Sequence, residues 1–193
     1  SGTLKPSELL ADTDRAIQKL RHTHRLDISG YSLELGSTGE QHYEDFKEFC
    51  RIAKTTKVVN VTVPSGEHGT PFNEEVEHLQ QLVTIGESEG IRVAVRSHLG
   101  RLSEDPDTLM VLCNNIDGLG LALDPSVYIC GSASGKNLDN ILKFVCNVHL
   151  RDSRPDAFQV SVGQGEIDYG KLVTQLEREK YDRGLVVHMT PCD

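Results

Sequence analysis

The sequence predicts an α/β protein of (β/α)8 TIM-barrel type, incomplete, with six parallel strands. Two observations carry this. Short apolar runs alternate with amphipathic helical stretches along the whole chain, the pattern of parallel strands joined by crossover helices. Within the runs, one parity is aliphatic and the other is small or polar. Val59, Val61 and Val63 alternate with Asn60 and Thr62; Val93 and Val95 with Ala94, Arg96 and His98; Leu119, Leu121 and Leu123 with Gly120, Ala122 and Asp124. Val148 and Leu150 flank His149, and Val187 and Met189 flank His188. An open doubly wound sheet has helices over both faces, so both parities would be aliphatic. A barrel turns only one parity towards its helices and the other inwards.

The elements follow in order. Pro6 suits a first helical turn, and Leu9, Leu10, Ala16, Ile17 and Leu20 keep a helical rhythm, which predicts a helix over about residues 6–22. LDISGYSLEL then reads as the first strand and YEDFKEFCRIAK as a helix. VVNVTVPSG, IRVAVRSHLG and GLGLALDPS are the next strands, separated by the helices NEEVEHLQQLVTIGESEG and DPDTLMVLCNN. LDNILKFV, a helix, leads to the strand CNVHLRD; DYGKLVTQLERE, another, leads to GLVVHMT. Asp168 is placed to cap the helix that begins near Tyr169, after the two glycines of VGQGEIDYGKL have made the turn. No linker or low-complexity tract divides the chain, so residues 1–193 read as one domain.

Composition narrows the function. With 37% hydrophobic and 25% charged residues, the chain can build one real core. A net charge of -9 without a Lys/Arg run argues against nucleic acid and for a small polar ligand. No apolar run reaches the roughly 18 residues that a membrane span needs, and the N-terminus lacks a signal-peptide pattern. Cys50, Cys113, Cys130, Cys146 and Cys192 include no C-x-x-C pair and sit mostly in apolar segments, so they read as buried free thiols in a reducing compartment, and the expected location is cytoplasmic.

The inward polar residues gather at strand C-termini: Arg96 and His98, then Asp124, then His149 and Arg151, then His188. Barrel enzymes build their sites on that rim, from several strands at once. Singly, a strand-end aspartate is often a helix cap and a strand-end histidine a satisfied core group. Four consecutive strands ending in inward ionisable groups point to a ligand site. SGEHGT and CGSASGK look faintly like phosphate-cradling loops, without the spacing of a P-loop.

The succession VAVRSHLG, GLALDPSVY, VHLRD, VGQGEIDYGKL and GLVVHM resembles the xylose isomerase-like barrel superfamily, which includes sugar phosphate isomerases and epimerases, inosose dehydratase, hydroxypyruvate isomerase and endonuclease IV. The DPS turn, the HLRD strand end and the G-x-G-E-I-D-Y loop are its most specific pieces. The resemblance implies a divalent metal held by a glutamate, an aspartate, a histidine and a second glutamate, the glutamates also moving protons. Asp124 and His149 match. Arg96 and His188 stand where the glutamates belong, and Val127 stands where a further histidine is often found.

Arg96 and a cation at that position oppose each other: like unit charges at 4 Å repel by roughly 4 kcal/mol at an effective dielectric of 20, and a divalent ion doubles this. Arg96 has three readings: a solvated side chain, a stand-in for the metal's charge paired with Asp124, or a group that binds an anionic ligand. A set of Asp124, His149 and His188 still suits zinc or another divalent ion such as manganese or cobalt, so metal binding is expected to be weak or absent. Arg151 either holds a phosphate or carboxylate of the ligand or forms a salt bridge to Asp152, Asp156 or Glu166. His188 and His98 remain as candidate catalytic bases.

The resemblance begins at what is the family's second helix, so its first two strands and first helix have no counterpart: either the chain is a fragment of a full barrel or the natural barrel is open. Open edges at residues 26–34 and 184–190 invite pairing with another chain, and a homo-oligomer is expected. The function these features imply is that of a sugar isomerase or epimerase-like protein with a degenerate metal site, acting on a small keto or aldo sugar or its phosphate. The alternative is a non-catalytic carbohydrate-binding or scaffolding barrel. The basic groove and extra zinc ligands of the repair endonucleases are not seen.

Overall fold

Valine- and leucine-rich runs bounded by turn residues form the strands β1 (Tyr31–Ser32), β2 (Asn60–Pro64), β3 (Arg92–Arg96), β4 (Gly120–Leu123), β5 (Val145–Leu150) and β6 (Leu185–Val187). In this computed structural model, which describes residues 5–23 and 26–189, the six strands pair in sequence order and every pair is parallel. The sheet curls into a half-barrel, so residues of β1 and β6 line the same cavity.

The register explains the parity seen in the sequence. Val61 pairs with Val93, Val95 with Leu121, and Leu123 with Val148. These side chains form one apolar face, buried against the helices α3 (Glu40–Thr55), α4 (Phe72–Ser88), α5 (Pro106–Asn115) and α8 (Tyr169–Arg178). Phe46, Ile52, Leu79, Leu82, Leu109 and Leu112 are the helical side of that core, each 1% exposed or less. Ala94, Ala122 and Cys146 make a separate small cluster on the inner face. Small residues there leave room inside the curl for the longer polar side chains nearer the rim.

One irregularity aims a functional residue. Leu121 pairs with Val145 but Ala122 pairs with Asn147, so β5 carries one extra residue at Cys146. A bulge shifts side-chain parity by one. With it, both Val145 and Val148 join the helix-side core, and His149 faces inwards.

Several elements differ from expectation. The helix foreseen over 6–22 is two, α1 (Pro6–Ala11) and α2 (Thr13–Arg21), because Asp12 leaves helical geometry and its carboxylate accepts the Arg15 N–H as an N-cap. The first strand keeps only two paired residues, consistent with its having one neighbour and a glycine at its start. Two short helices, α6 (Val127–Cys130) and α7 (Asp139–Leu142), precede β5, and Val145 belongs to the strand. Val59, Val187 and Met189 were placed on the covered parity but are 56%, 69% and 38% exposed, since they lie at or beyond strand ends where no described helix reaches.

Cys50, Cys113 and Cys146 are buried free thiols as read from the sequence, whereas Cys130 is half-buried; Cys192 lies outside the described residues. No described helix is long and apolar enough to cross a membrane.

Candidate functional site

Strands that end together bring their last inward residues together. One ligand-type atom from each of Asp124, His149 and His188 lies within 4.8 Å of the others. The two imidazoles meet edge to face, with centroids 4.9 Å apart. Arg151 stands among them: its Nη2 donates to His188 Nδ1 at 2.9 Å, and its Nε lies 3.7 Å from Asp124 Oδ2. The guanidinium also lies over the Phe158 ring, 4.4 Å from the centroid, which fixes its plane.

The partner of Asp124 is therefore Arg151 and not Arg96, as one reading of the sequence had it. Arg96 points across the curl, and its Nη1 donates to Ser32 Oγ on β1 at 3.1 Å. Of the acids expected for Arg151, Asp152 and Asp156 are engaged elsewhere, and Arg151 pairs with Asp124 instead of Glu166. Asp152 is buried and accepts from the backbone N–H groups of Gly163 (2.7 Å) and Gly165 (3.0 Å), and Asp156 pairs with Arg154 at 3.8 Å. The glycines of VGQG thus wrap the Asp152 carboxylate, so closely that a Cβ at Gly165 would sit 1.9 Å from Asp152 Oδ1.

The DPS and HLRD segments lock each other. Asp124 Oδ1 accepts the Ser126 N–H at 3.1 Å, and Ser126 Oγ donates to the Arg151 carbonyl at 2.9 Å. Burial raises the pKa of Asp124 and the nearby Arg151 guanidinium opposes this. Burial, then the neighbouring His188, Arg96 and Arg151, push His149 down to about 4, so its ring is neutral at pH 7.

Hydrogen bonds set the ring tautomers. The Asn147 amide donates to His149 Nε2 at 3.1 Å, which leaves the proton on Nδ1. Arg151 donates to His188 Nδ1, which leaves that proton on Nε2. His98 Nδ1 donates to the Leu99 carbonyl at 2.6 Å, leaving Nε2 as a free acceptor. His98 and His188 line one cleft of about 340 Å³ with Arg96, Asp124, Arg151 and Phe158. A second cleft of about 210 Å³, inside the curl, is lined by Ser32, Thr62, Arg96, Asn147, His149 and His188. Arg96 and His188 belong to both.

The three donors Asp124, His149 and His188 have the spacing of a divalent-ion site, but their hydrogen bonds do not fit a resident ion. Arg151 already engages two of them, and the third directs an N–H, not a lone pair, at its one unbonded ring nitrogen.

The two glycine-rich loops are occupied by the chain's own acids. The Gly66 N–H donates to the Glu75 carboxylate at 3.0 Å and the Ser132 N–H to that of Glu104 at 2.6 Å, while Lys136 pairs with Asp105 and Asp107. Phosphate there would meet carboxylates. Sequence reasoning missed Ser32, Phe158 and the role of Asp152; only the buried aspartate followed by closely spaced glycines hints at the last.

The half-barrel, the rim position and the DPS and HLRD locks agree with the match of residues 3–192 to the family described as xylose isomerase-like TIM barrel. The chain belongs to this family. Among solved structures, a D-tagatose 3-epimerase-like protein superposes with a TM-score of 0.73 at 16% identity, over 90% of this chain and 75% of that one. The probable 3-DHS dehydratase AsbF of Bacillus anthracis, involved in petrobactin synthesis, gives 0.74 at 14%, over 95% and 79%. The IOLI protein, solved with a bound zinc atom, gives 0.70 at 20%, over 95% and 75%. No match was found among curated protein sequences. Xylose isomerase-like barrels therefore frame this chain's fold.

Proposed function

We propose that this chain is a sugar isomerase- or epimerase-like protein acting on a small keto or aldo sugar or its phosphate, with a metal site too degenerate to bind a divalent ion tightly. The observation that carries the reading is the convergence of Asp124, His149 and His188 with Arg96 and Arg151 on one rim. The epimerase-like neighbour supports a sugar as substrate. In this reading Arg96 and Arg151 hold the substrate. His98, with Nε2 free, removes the proton from the carbon beside the carbonyl, and the Nε2–H of His188 protonates the carbonyl oxygen to give the enediol. Return of the proton from His98 to the former carbonyl carbon, with the proton of the other hydroxyl passing to Nε2 of His188, gives the isomer. Protonation of the original carbon on its other face by a water molecule, whose hydroxide takes the proton from His98, while His188 takes back the proton it gave to the oxygen, gives the epimer. Asp124, buried beside Arg151, orients that arginine.

The test is proton exchange. The protein is incubated in deuterium oxide with aldoses, ketoses and their phosphates, and deuterium entering the carbon beside the carbonyl is followed by NMR. Exchange is expected with at least one substrate, and His98→Gln should slow it by about 100-fold. Saturable binding of a sugar with no exchange in any of them leaves the second reading, a carbohydrate-binding barrel without chemistry, which the guanidinium at Arg96 favours because it cannot act as a base.

A further inference from the structure

We propose that the rim cleft binds an oxyanion, the phosphate or carboxylate of a sugar derivative, between the guanidinium groups of Arg96 and Arg151, where Asp124, His149 and His188 would otherwise hold a cation. This rests on the sugar-directed reading above and adds the charge class of the substrate.

The first support is a set of unmet hydrogen-bond donors. Arg96 Nε and His149 Nδ1 are buried and have no hydrogen-bond partner, and Arg151 Nε has only the Asp124 carboxylate, 3.7 Å away. All three are N–H donors, given that His149 Nε2 already accepts from Asn147. Arg151 and His149 are only 6% and 7% exposed. Buried donors without acceptors are rare and costly, and two of the residues that carry them, Arg96 and Arg151, line the same cleft, which suits an acceptor-rich guest. A metal ion offers no acceptor; a carboxylate offers two acceptor oxygens and a phosphate three or four.

Charge points the same way. The cleft is lined by two guanidinium groups, those of Arg96 and Arg151, and by one carboxylate, that of Asp124. A local excess of positive charge stands out in a chain of net charge -9. Asp124 is engaged by Arg151 and the Ser126 N–H, while Arg96 donates to a neutral hydroxyl, Ser32 Oγ. The cleft of about 340 Å³ has room for a sugar beside the anion.

The experiment is calorimetric titration of the full chain with inorganic phosphate, fructose 6-phosphate, gluconate and fructose. Phosphate should bind, and either fructose 6-phosphate or gluconate should bind about tenfold or more tighter than fructose. Preference for the phosphate ester identifies a phosphate source, and preference for gluconate a carboxylate source. Arg96→Gln, checked for fold by circular dichroism, should shrink the gap between anionic and neutral ligands by about tenfold. Fructose binding as tightly as either anion, or a folded Arg96→Gln that keeps the whole gap, overturns the proposal. Should the variant misfold, the wild-type gap decides alone. Anion binding without deuterium exchange would keep this inference and remove the isomerase reading. Exchange on fructose with no preference for anions would do the reverse.

Discussion

Arg96 puts a permanent positive charge on the rim, and Arg151 adds a second beside Asp124. Removing one of them while adding a carboxylate changes the electrostatics twice, by lost repulsion and by a new ligand. Arg96→Glu should therefore gain affinity for manganese or zinc by about tenfold or more over a weakly binding wild type. Calorimetry with each metal reads this out, and a folded variant with no gain would count against the account. A different residue-scale effect is expected at Gly165, where a methyl group would collide with the Asp152 carboxylate. Asp152 is 2% exposed and cannot simply swing away without losing the Gly163 and Gly165 amides. Gly165→Ala should cost about 2–3 kcal/mol in urea unfolding.

At the scale of elements, loops are held to the half-barrel by buried carboxylates. Glu104 joins the turn after β3 to the segment before α7, accepting from the Gly100 and Ser132 backbones and from His68. Burial pushes its pKa up, but the hydrogen bonds from Gly100, Ser132 and His68 outweigh it and hold the carboxyl at about 2, against an ordinary 4.5. A depressed folded pKa contributes stability above pH 4.5 that is lost as the pH falls towards 2. Glu104→Gln should thus destabilise the fold by about 2 kcal/mol at pH 7, and the difference from wild type should shrink steadily below pH 4.5 in denaturant melts. Helix α8 gives a simpler test. Asp168 accepts the Lys171 N–H at 2.8 Å as its N-cap, so Asp168→Ala should cost about 1 kcal/mol.

At the scale of the whole molecule, the sheet order leaves β1 and β6 each with one paired neighbour among the described residues. Leu185 and Val187 on β6 are 45% and 69% exposed, an apolar edge beside unpaired backbone groups. Such an edge pairs readily with another chain. We expect concentration-dependent association in sedimentation experiments, and expect Val187→Lys to weaken it while leaving the thermal melt little changed. A monomer at every concentration would show that the edge is protected some other way.

The sequence determined the architecture of this chain and the roster of its rim. Side-chain alternation along a strand is a local property, so the aliphatic parity of Val61, Val93, Leu121 and Val148 already told which face the helices cover, and Arg96, Asp124, His149, Arg151 and His188 could be gathered before any coordinates. The DPS and HLRD segments carried the family for the same reason. Only the tertiary structure decided who bonds to whom. That Arg151 and not Arg96 pairs with Asp124, that Asp152 turns away to the Gly163 and Gly165 amides, and that Arg96 Nε and His149 Nδ1 are left buried without a hydrogen-bond partner all depend on rotamers and on distances between strands. Those distances are set by the curl of the sheet and the extra residue in β5. Residues far apart in sequence compete there for the same acceptors, and that competition has no signature in local spacing.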